Sequence, residues 1–187
     1  MMSNSTATEE HDIIRQCLDG EPEQYALLVD KYKLMAYNIA YRMLGDADTA
    51  KDMSQESFIS TYASLEKFQY NSKFSSWLYR IVVNKCRDHL RAERDMVQVD
   101  EISDIVPSTE QTPEQATSSR QTGDVIQKAL NSLPDEYREV IVLKHVEELD
   151  FREISDILGV GVNALKVRAH RGREMLKELL QEMGARV

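Results

Sequence analysis

Residues 150–179 read DFREISDILGVGVNALKVRAHRGREMLKEL, and their spacing decides the fold. Asp150 and Glu153 form a capping-box-like pair ahead of the apolar positions Ile154, Ile157 and Leu158. Gly159, Val160 and Gly161 make a short turn, after which Val162, Leu165, Ala169, Gly172 and Leu176 follow three and four residues apart. Two amphipathic helices across a three-residue glycine turn are the pattern of a helix-turn-helix. The outward face of the second helix carries Asn163, Val167, His170, Arg171 and Glu174, with Lys166 and Arg173 on one flank and Arg168 on the other. Cations at the rims suit phosphates, and the central side chains suit base edges in a major groove. A solvated basic surface helix would carry the same charges. The capped helix and turn before it are what favour DNA.

Working upstream, Pro134 opens a helix to about His145, and another lies around Asp124 to Asn131. Between Met96 and Gly123 the chain is rich in Ser, Thr, Gln and Pro, and holds Asp100, Glu101, Asp104, Glu110 and Glu114 against the single base Arg120. Such a composition cannot offset its ordering entropy by apolar burial, so it reads as a flexible acidic linker. Ahead of it, Ile13, Ile14, Cys17 and Leu18 form a stripe ended by Gly20, and Pro22 suits the first turn of a long helix closed by Gly45. Asp46 or Asp48 caps a third helix to about Glu66, and Ser75 a fourth to about Arg94. The expectation is an all-α chain of two helical domains, 1–95 and 124–187, joined by the linker 96–123.

The fourth helix carries a second cationic pattern. Arg80, Asn84, Arg87, Arg91 and Arg94 share one face, with Lys73 in line before it and Phe68, Tyr70, Phe74, Trp77 and Tyr79 clustered alongside. Unstacked bases need a π face and their backbone needs charge, so aromatic rings beside a cationic track suit single-stranded nucleic acid. The same rings serve equally as core, above all Trp77 and Tyr79. The third helix presents Asp48, Asp52, Gln55 and Glu56 on one side, either a solvated face or a dock for a basic partner.

Composition narrows the function classes. The chain has 187 residues, a formal charge of −9 and only two cysteines, Cys17 and Cys86, which excludes a disulfide scaffold or a cysteine-rich zinc site. No run approaches the ~18 apolar residues of a membrane span, and the polar start lacks a signal-peptide core, so the expected location is the cytoplasm. Phosphate-cradling loops, paired metal-ligand histidines and a serine elbow are missing from the sequence, so neither enzyme activity, cofactor, metal nor small-molecule substrate is expected. The acidic total opposes DNA approach, while the basic patches favour it.

Three motifs in order, GDADTAKDMSQESF (45–58), KFSSWLYRIVVN (73–84) and the stretch from LPDEYR (133–138) to HRGR (170–173), resemble the extracytoplasmic-function sigma factors of bacterial RNA polymerase. The resemblance spans residues 12–183 and implies a region-two helical bundle and a region-four helix-turn-helix. It implies that Asp48, Asp52, Gln55 and Glu56 dock on the β′ clamp helices of core polymerase, with the β subunit as a further contact. Phe68, Tyr70, Lys73, Phe74, Trp77, Arg80, Asn84 and Arg87 would capture a flipped base and hold the melted strand of the minus-ten element. Asn163, Lys166, Val167, Arg168, His170, Arg171 and Arg173 would engage the minus-thirty-five element, and an anti-sigma factor would be a partner. A stand-alone helix-turn-helix regulator is the rival; it leaves the acidic face and its aromatic-basic neighbour unexplained.

The recognition helix departs from the family pattern. Gly161-Val162-Asn163-Ala164-Leu165 stands where members often have Pro-Val-Gly-Thr-Val, and Val167 where they tend to have Ser or Thr. Valine offers only apolar contact, best met by a thymine methyl. Val167→Ser is therefore expected to change base preference at one position of the upstream element and leave the salt dependence of binding nearly unchanged. Binding-site selection on randomised duplexes checks this; an equal loss on all sequences would place the side chain against the backbone.

Overall fold

The computed structural model describes residues 3–100 and 118–185, all of whose regular structure is helical. Four helices precede the gap: α1 (Ser3–Leu18), α2 (Tyr25–Leu44), α3 (Ala47–Ala63) and α4 (Phe74–Asp100). Four follow it: α5 (Ser118–Asn131), α6 (Asp135–Ile141), α7 (Phe151–Leu158) and α8 (Val162–Glu182). Most of the expected linker, residues 101–117, lies outside the described residues. α4 runs past Arg94 and α5 starts before Asp124. Arg91, Ala92, Glu93 and Arg94 are helix formers that need no apolar partner to continue a solvated helix.

Local chemistry sets the boundaries where the sequence places them. Gly45 ends α2 in a left-handed conformation at φ 81°, its N–H donating to the Tyr41 carbonyl. The Asp46 carboxylate then accepts from the Thr49 amide and opens α3. Asp150 accepts from the amides of Arg152 and Glu153, and the Glu153 carboxylate accepts from the Asp150 amide, which completes the capping box of α7. The Thr49 hydroxyl and then its amide hold the Asp46 carboxyl below the usual carboxylate range, and the amides of Glu153 and Arg152 do the same for Asp150. Gly159, at φ 68°, closes α7 and leads through Val160 and Gly161 into α8. Four details differ from the sequence expectation. α4 begins at Phe74, which puts Ser75 inside its first turn rather than at the cap, and α3 ends at Ala63, with a separate 3₁₀ turn over Leu65–Lys67. Pro22–Gln24 forms a separate 3₁₀ turn before α2, and α6 loosens into π-winding over Val142–Val146, where the Glu147 amide reaches the Val142 carbonyl.

α2, α3 and α4 pack around Leu28, Ile39, Phe58, Phe74, Leu78 and Val82, and α1 adds Ile14. The apolar cluster continues without a break into Val140, Leu143, Ile154, Leu158 and Leu165. α7 packs on α4 and α5 on α2, so the helix-turn-helix is seated against the first four helices. A smaller cluster of Leu130, Leu133 and Ile141 joins α5 and α6 to Met175, Leu176 and Leu179 of α8. Gly172 permits the close crossing of α6 and α8: a Cβ there would lie 3.0 Å from Ile141 Cγ1 and 3.3 Å from Tyr137 Cβ.

Gly45 answers two demands at once, since its φ disfavours any side chain and an added Cβ would overlap the Asn131 amide of α5. Gly45→Ala is expected to cost about 1–2 kcal/mol from the left-handed conformation alone. Urea unfolding should show a lower midpoint with an unchanged slope.

Candidate nucleic-acid interface

α8 buries Leu165, Ala169 and Gly172, so Asn163, Lys166, Val167, His170, Arg171 and Arg173 all face solvent, Val167 with 50% of its surface exposed. Arg168 is the exception among the expected contacts. It turns back to α6, pairing with Glu136 at 2.9 Å and lying 3.9 Å from Glu139. Two basic residues outside the helix-turn-helix join the outward group. Lys144 and His145, on the π-wound turn, line a cavity of about 220 Å³ with Phe151, Lys166, Ala169 and Arg173. The Lys144 ammonium donates to the Leu149 carbonyl at 2.8 Å and sits 5.3 Å from the Phe151 ring centre. Burial, then Arg173 and Lys144, holds the His145 pKa below the ordinary histidine value. All charged side chains around this cavity carry or can carry positive charge. Sequence periodicity missed Lys144 and His145; the signal was two basic residues directly after the apolar run Val140–Leu143.

The α4 stripe forms as expected, but α6 and α7 lie along it. Lys73 pairs with Glu153 at 3.2 Å, and Arg80 donates to the Asp156 carbonyl. Arg87 makes two 2.7 Å bonds with the Glu139 carboxylate, and Arg94 pairs with Asp135. The Tyr79 hydroxyl donates to Glu147 at 2.7 Å; burial first, and that carboxylate second, push its pKa up. Asn84 remains exposed. Glu139 is 4% exposed and faces both Arg87 and Arg168, so one carboxylate holds a cation from each of the two expected DNA surfaces.

The aromatic cluster divides. Phe74 and Phe68 are core at 0% and 4% exposure, as is Tyr79, while Tyr70 and Trp77 are half-buried. Trp77 and Phe68, their ring centres 5.3 Å apart, line a cavity of about 450 Å³ with Lys67, Gln69, Asn71, Ser72, Arg80 and Asp156. The cavity thus has ring edges, polar loop side chains and a cation within reach of one another. The polar loop residues were not legible one by one, because a loop has no period to say which side chains converge.

On α3, Asp48, Asp52, Gln55 and Glu56 are all exposed, and Glu56 pairs with Lys85 at 3.3 Å. Ile59, 69% exposed, falls on this same face at helical spacing from Asp52, Gln55 and Glu56. Its absence from the apolar stripe of α3 was the sequence signal. Cys86 is fully buried, which pushes its thiol up to about 12, and burial raises Cys17 as well; neither is activated as a nucleophile.

Comparison with known proteins gives a consistent outcome. Residues 28–95 match the family described as Sigma-70 region 2, and residues 123–176 the family described as Sigma-70, region 4. The chain is 38% identical over 179 residues to the ECF RNA polymerase sigma factor SigW of Bacillus subtilis, covering 91% of this chain and 96% of that one. It is 27% identical over 187 residues to the RNA polymerase sigma-H factor of Pseudomonas aeruginosa, covering 95% and 97%. Among solved structures, the sigma factor RpoE of Bartonella quintana, crystallised with the anti-sigma factor NepR, has a TM-score of 0.71 over 85% of this chain and 98% of that one. At 24% identity this is a likeness of fold.

The contacts of α6 and α7 along α4 make a direct prediction. Replacing Glu139, Glu147 and Glu153 together by Gln should loosen the seat of the helix-turn-helix, because the strongest partner of Arg87 loses its charge. Small-angle scattering should show a larger radius of gyration, and a single-stranded oligonucleotide should bind more tightly than to the parent chain. If neither changed, the carboxylates would not be what holds the two sets of helices together.

Proposed function

The chain belongs to the extracytoplasmic-function sigma factors of bacterial RNA polymerase, and from that membership we propose how its surfaces divide the work. A sigma factor binds core polymerase, directs it to particular promoters and assists strand opening, and this chain has that function. We assign residues 1–95 to core docking and the minus-ten element, 124–187 to the minus-thirty-five element, and 96–123 to the linker. The chain works by binding rather than by bond chemistry, in the cytoplasm where the polymerase is. An anti-sigma factor is a further partner, as NepR is for RpoE.

The α3 face is the dock for the polymerase clamp: Asp48, Asp52, Gln55 and Glu56 supply charge, and Ile59 supplies apolar area at the centre. The minus-ten surface is the cavity at the start of the α4 stripe, and this cavity is the observation that carries the reading. A base leaving the duplex finds the Trp77 ring for its face and Gln69, Asn71 and Ser72 for its edge, while Arg80, Arg87 and Lys73 meet the strand's phosphates. Phe68 and Phe74 serve it from the core, as the floor on which Trp77 rests. On α8, Asn163, Val167 and His170 face base edges. Lys166, Arg171, Arg173 and, from the preceding turn, Lys144 and His145 face phosphates. Arg168 joins them once released from Glu136 and Glu139. Because Glu139, Glu153 and Asp156 occupy the α4 cations, DNA capture requires α6 and α7 to move off α4.

Run-off transcription with purified core tests the assignment. Asp52→Lys with Glu56→Lys, or Ile59→Glu alone, should weaken core binding and leave the fold intact, since exposed substitutions cost within ~0.5 kcal/mol. Trp77→Ala or Asn84→Ala should leave core binding and the closed complex unchanged. Permanganate reactivity of the melted strand should fall instead, in Trp77→Ala by the ~1–3 kcal/mol that stacking one base contributes and in Asn84→Ala through the lost amide contact. Unimpaired core affinity in the α3 variants would remove the docking role, and normal opening in the α4 variants would return the rings to the core.

A further inference from the structure

Tyr70 stands apart from the other loop aromatics. Its backbone is left-handed, at φ 57°, a conformation a bulky residue adopts only when its surroundings enforce it. Its neighbours Gln69, Asn71 and Ser72 line the 450 Å³ cavity, and Tyr70 does not. The tyrosine ring has gone instead to α1. The His11 ring meets it edge-on with centres 5.0 Å apart, and the Arg15 guanidinium lies 5.7 Å from its centre. Phe68 is 5.1 Å from Tyr70 and 5.8 Å from His11, so the three rings form a closed triangle.

α1 is itself fixed. Glu10, only 4% exposed, accepts from the Tyr32 hydroxyl and the Lys31 ammonium of α2, and Ile14 is fully buried. Tyr32 in turn packs on Phe74 at the start of α4, with ring centres 5.6 Å apart. A path of packed side chains therefore runs from the core through α1 to Tyr70, whose ring does not line the cavity. α1 precedes residue 28, where the family match begins, so this support belongs to the part of the chain that the match does not cover.

We propose that α1 is a brace for the base-capture loop: His11 and Arg15 hold the Tyr70 ring, and Tyr70, through its left-handed turn, aims Gln69, Asn71 and Ser72 into the cavity. Tyr70 is on this account a positioning residue and not a stacking platform. The ring contacts offset the conformational cost of the turn, and without them the loop relaxes to conformations in which its polar side chains no longer converge. Preorganisation matters here because a captured base must repay its own unstacking, and ordering a loose loop at the same moment subtracts from that.

The inference rests on the cavity as the seat of the flipped base, and the test separates the two. Holoenzyme is assembled with His11→Ala/Arg15→Ala, Tyr70→Phe, Tyr70→Asn and Tyr70→Asn/His11→Ala chains, with Trp77→Ala as reference. Three quantities are read: affinity for core, duplex promoter binding in the cold, and permanganate reactivity on warming. His11 and Arg15 reach the surface, so their loss spares the fold, which far-ultraviolet circular dichroism verifies. The expected result is opening reduced about two- to tenfold in His11→Ala/Arg15→Ala, the size of one or two lost ring contacts, with core affinity and cold duplex binding unchanged. Tyr70→Phe should retain opening because the ring remains. Tyr70→Asn accepts the backbone but has no ring, so adding His11→Ala to it should change nothing further. Normal opening in His11→Ala/Arg15→Ala, an additive effect of His11→Ala on Tyr70→Asn, or a parallel loss of core affinity would each overturn the brace. If Trp77→Ala also opened normally, the cavity itself would be the wrong seat for the base.

Discussion

The guanidinium of Arg138 has left water almost completely, with 7% of the residue exposed, for a site where four backbone carbonyls meet it. It donates to Leu130, Asn131 and Leu133, which closes the turn between α5 and α6, and to Met43 near the end of α2. Burial and the nearby Arg94 pull its pKa down from the usual arginine value. A charge taken out of water survives only if its donors are satisfied, and here the donors are spent on joining helices distant in sequence. The next residue, Glu139, is buried facing the other way and meets Arg87 and Arg168. The placement of the helix-turn-helix depends on this pair of adjacent buried charges.

That placement explains how a chain of net charge −9 handles a polyanion. Under the proposed division of surfaces, the carboxylates of Asp135, Glu139 and Glu153 hold cations assigned to strand phosphates, and Arg87 grips Glu139 with the two-pronged geometry that it would offer a phosphate. On that assignment, a strand phosphate would have to replace a carboxylate at each of these cations. A partner that separates the helix sets changes this. On the same assignment, the acidic excess would restrain nonspecific binding rather than obstruct function.

The surfaces proposed for docking on α3, base capture on α4 and duplex recognition on α8 are built on helices, and the loop that shapes the cavity is the one irregular element among them. Its aromatic residues sort by role: Phe68 and Phe74 anchor it to the core, Trp77 lines the cavity, and Tyr70 ties its back to α1.

The sequence by itself determined the boundaries set by glycine stops and aspartate caps, though it misplaced the start of α4 at Ser75 and the end of α3 at Glu66. Gly45 and Gly159 stop helices because no other residue rests easily at positive φ, Asp46 and Asp150 start them because their carboxylates reach the next free amides, and the three-to-four spacing marks Leu165, Ala169 and Gly172 as inward. The outward positions of α3, α4 and α8 followed from the same period, and with them most of the candidate site. Tertiary structure alone decided which of the aromatic residues at 68–77 are core, that Arg168 turns inward, that Lys144 and His145 stand beside the recognition helix, and that Arg87 meets a carboxylate 52 residues away. The physical reason is range. Caps and periods act through bonds closed within one or two turns, whereas a side chain's partner across the core is chosen by packing, which no local pattern encodes.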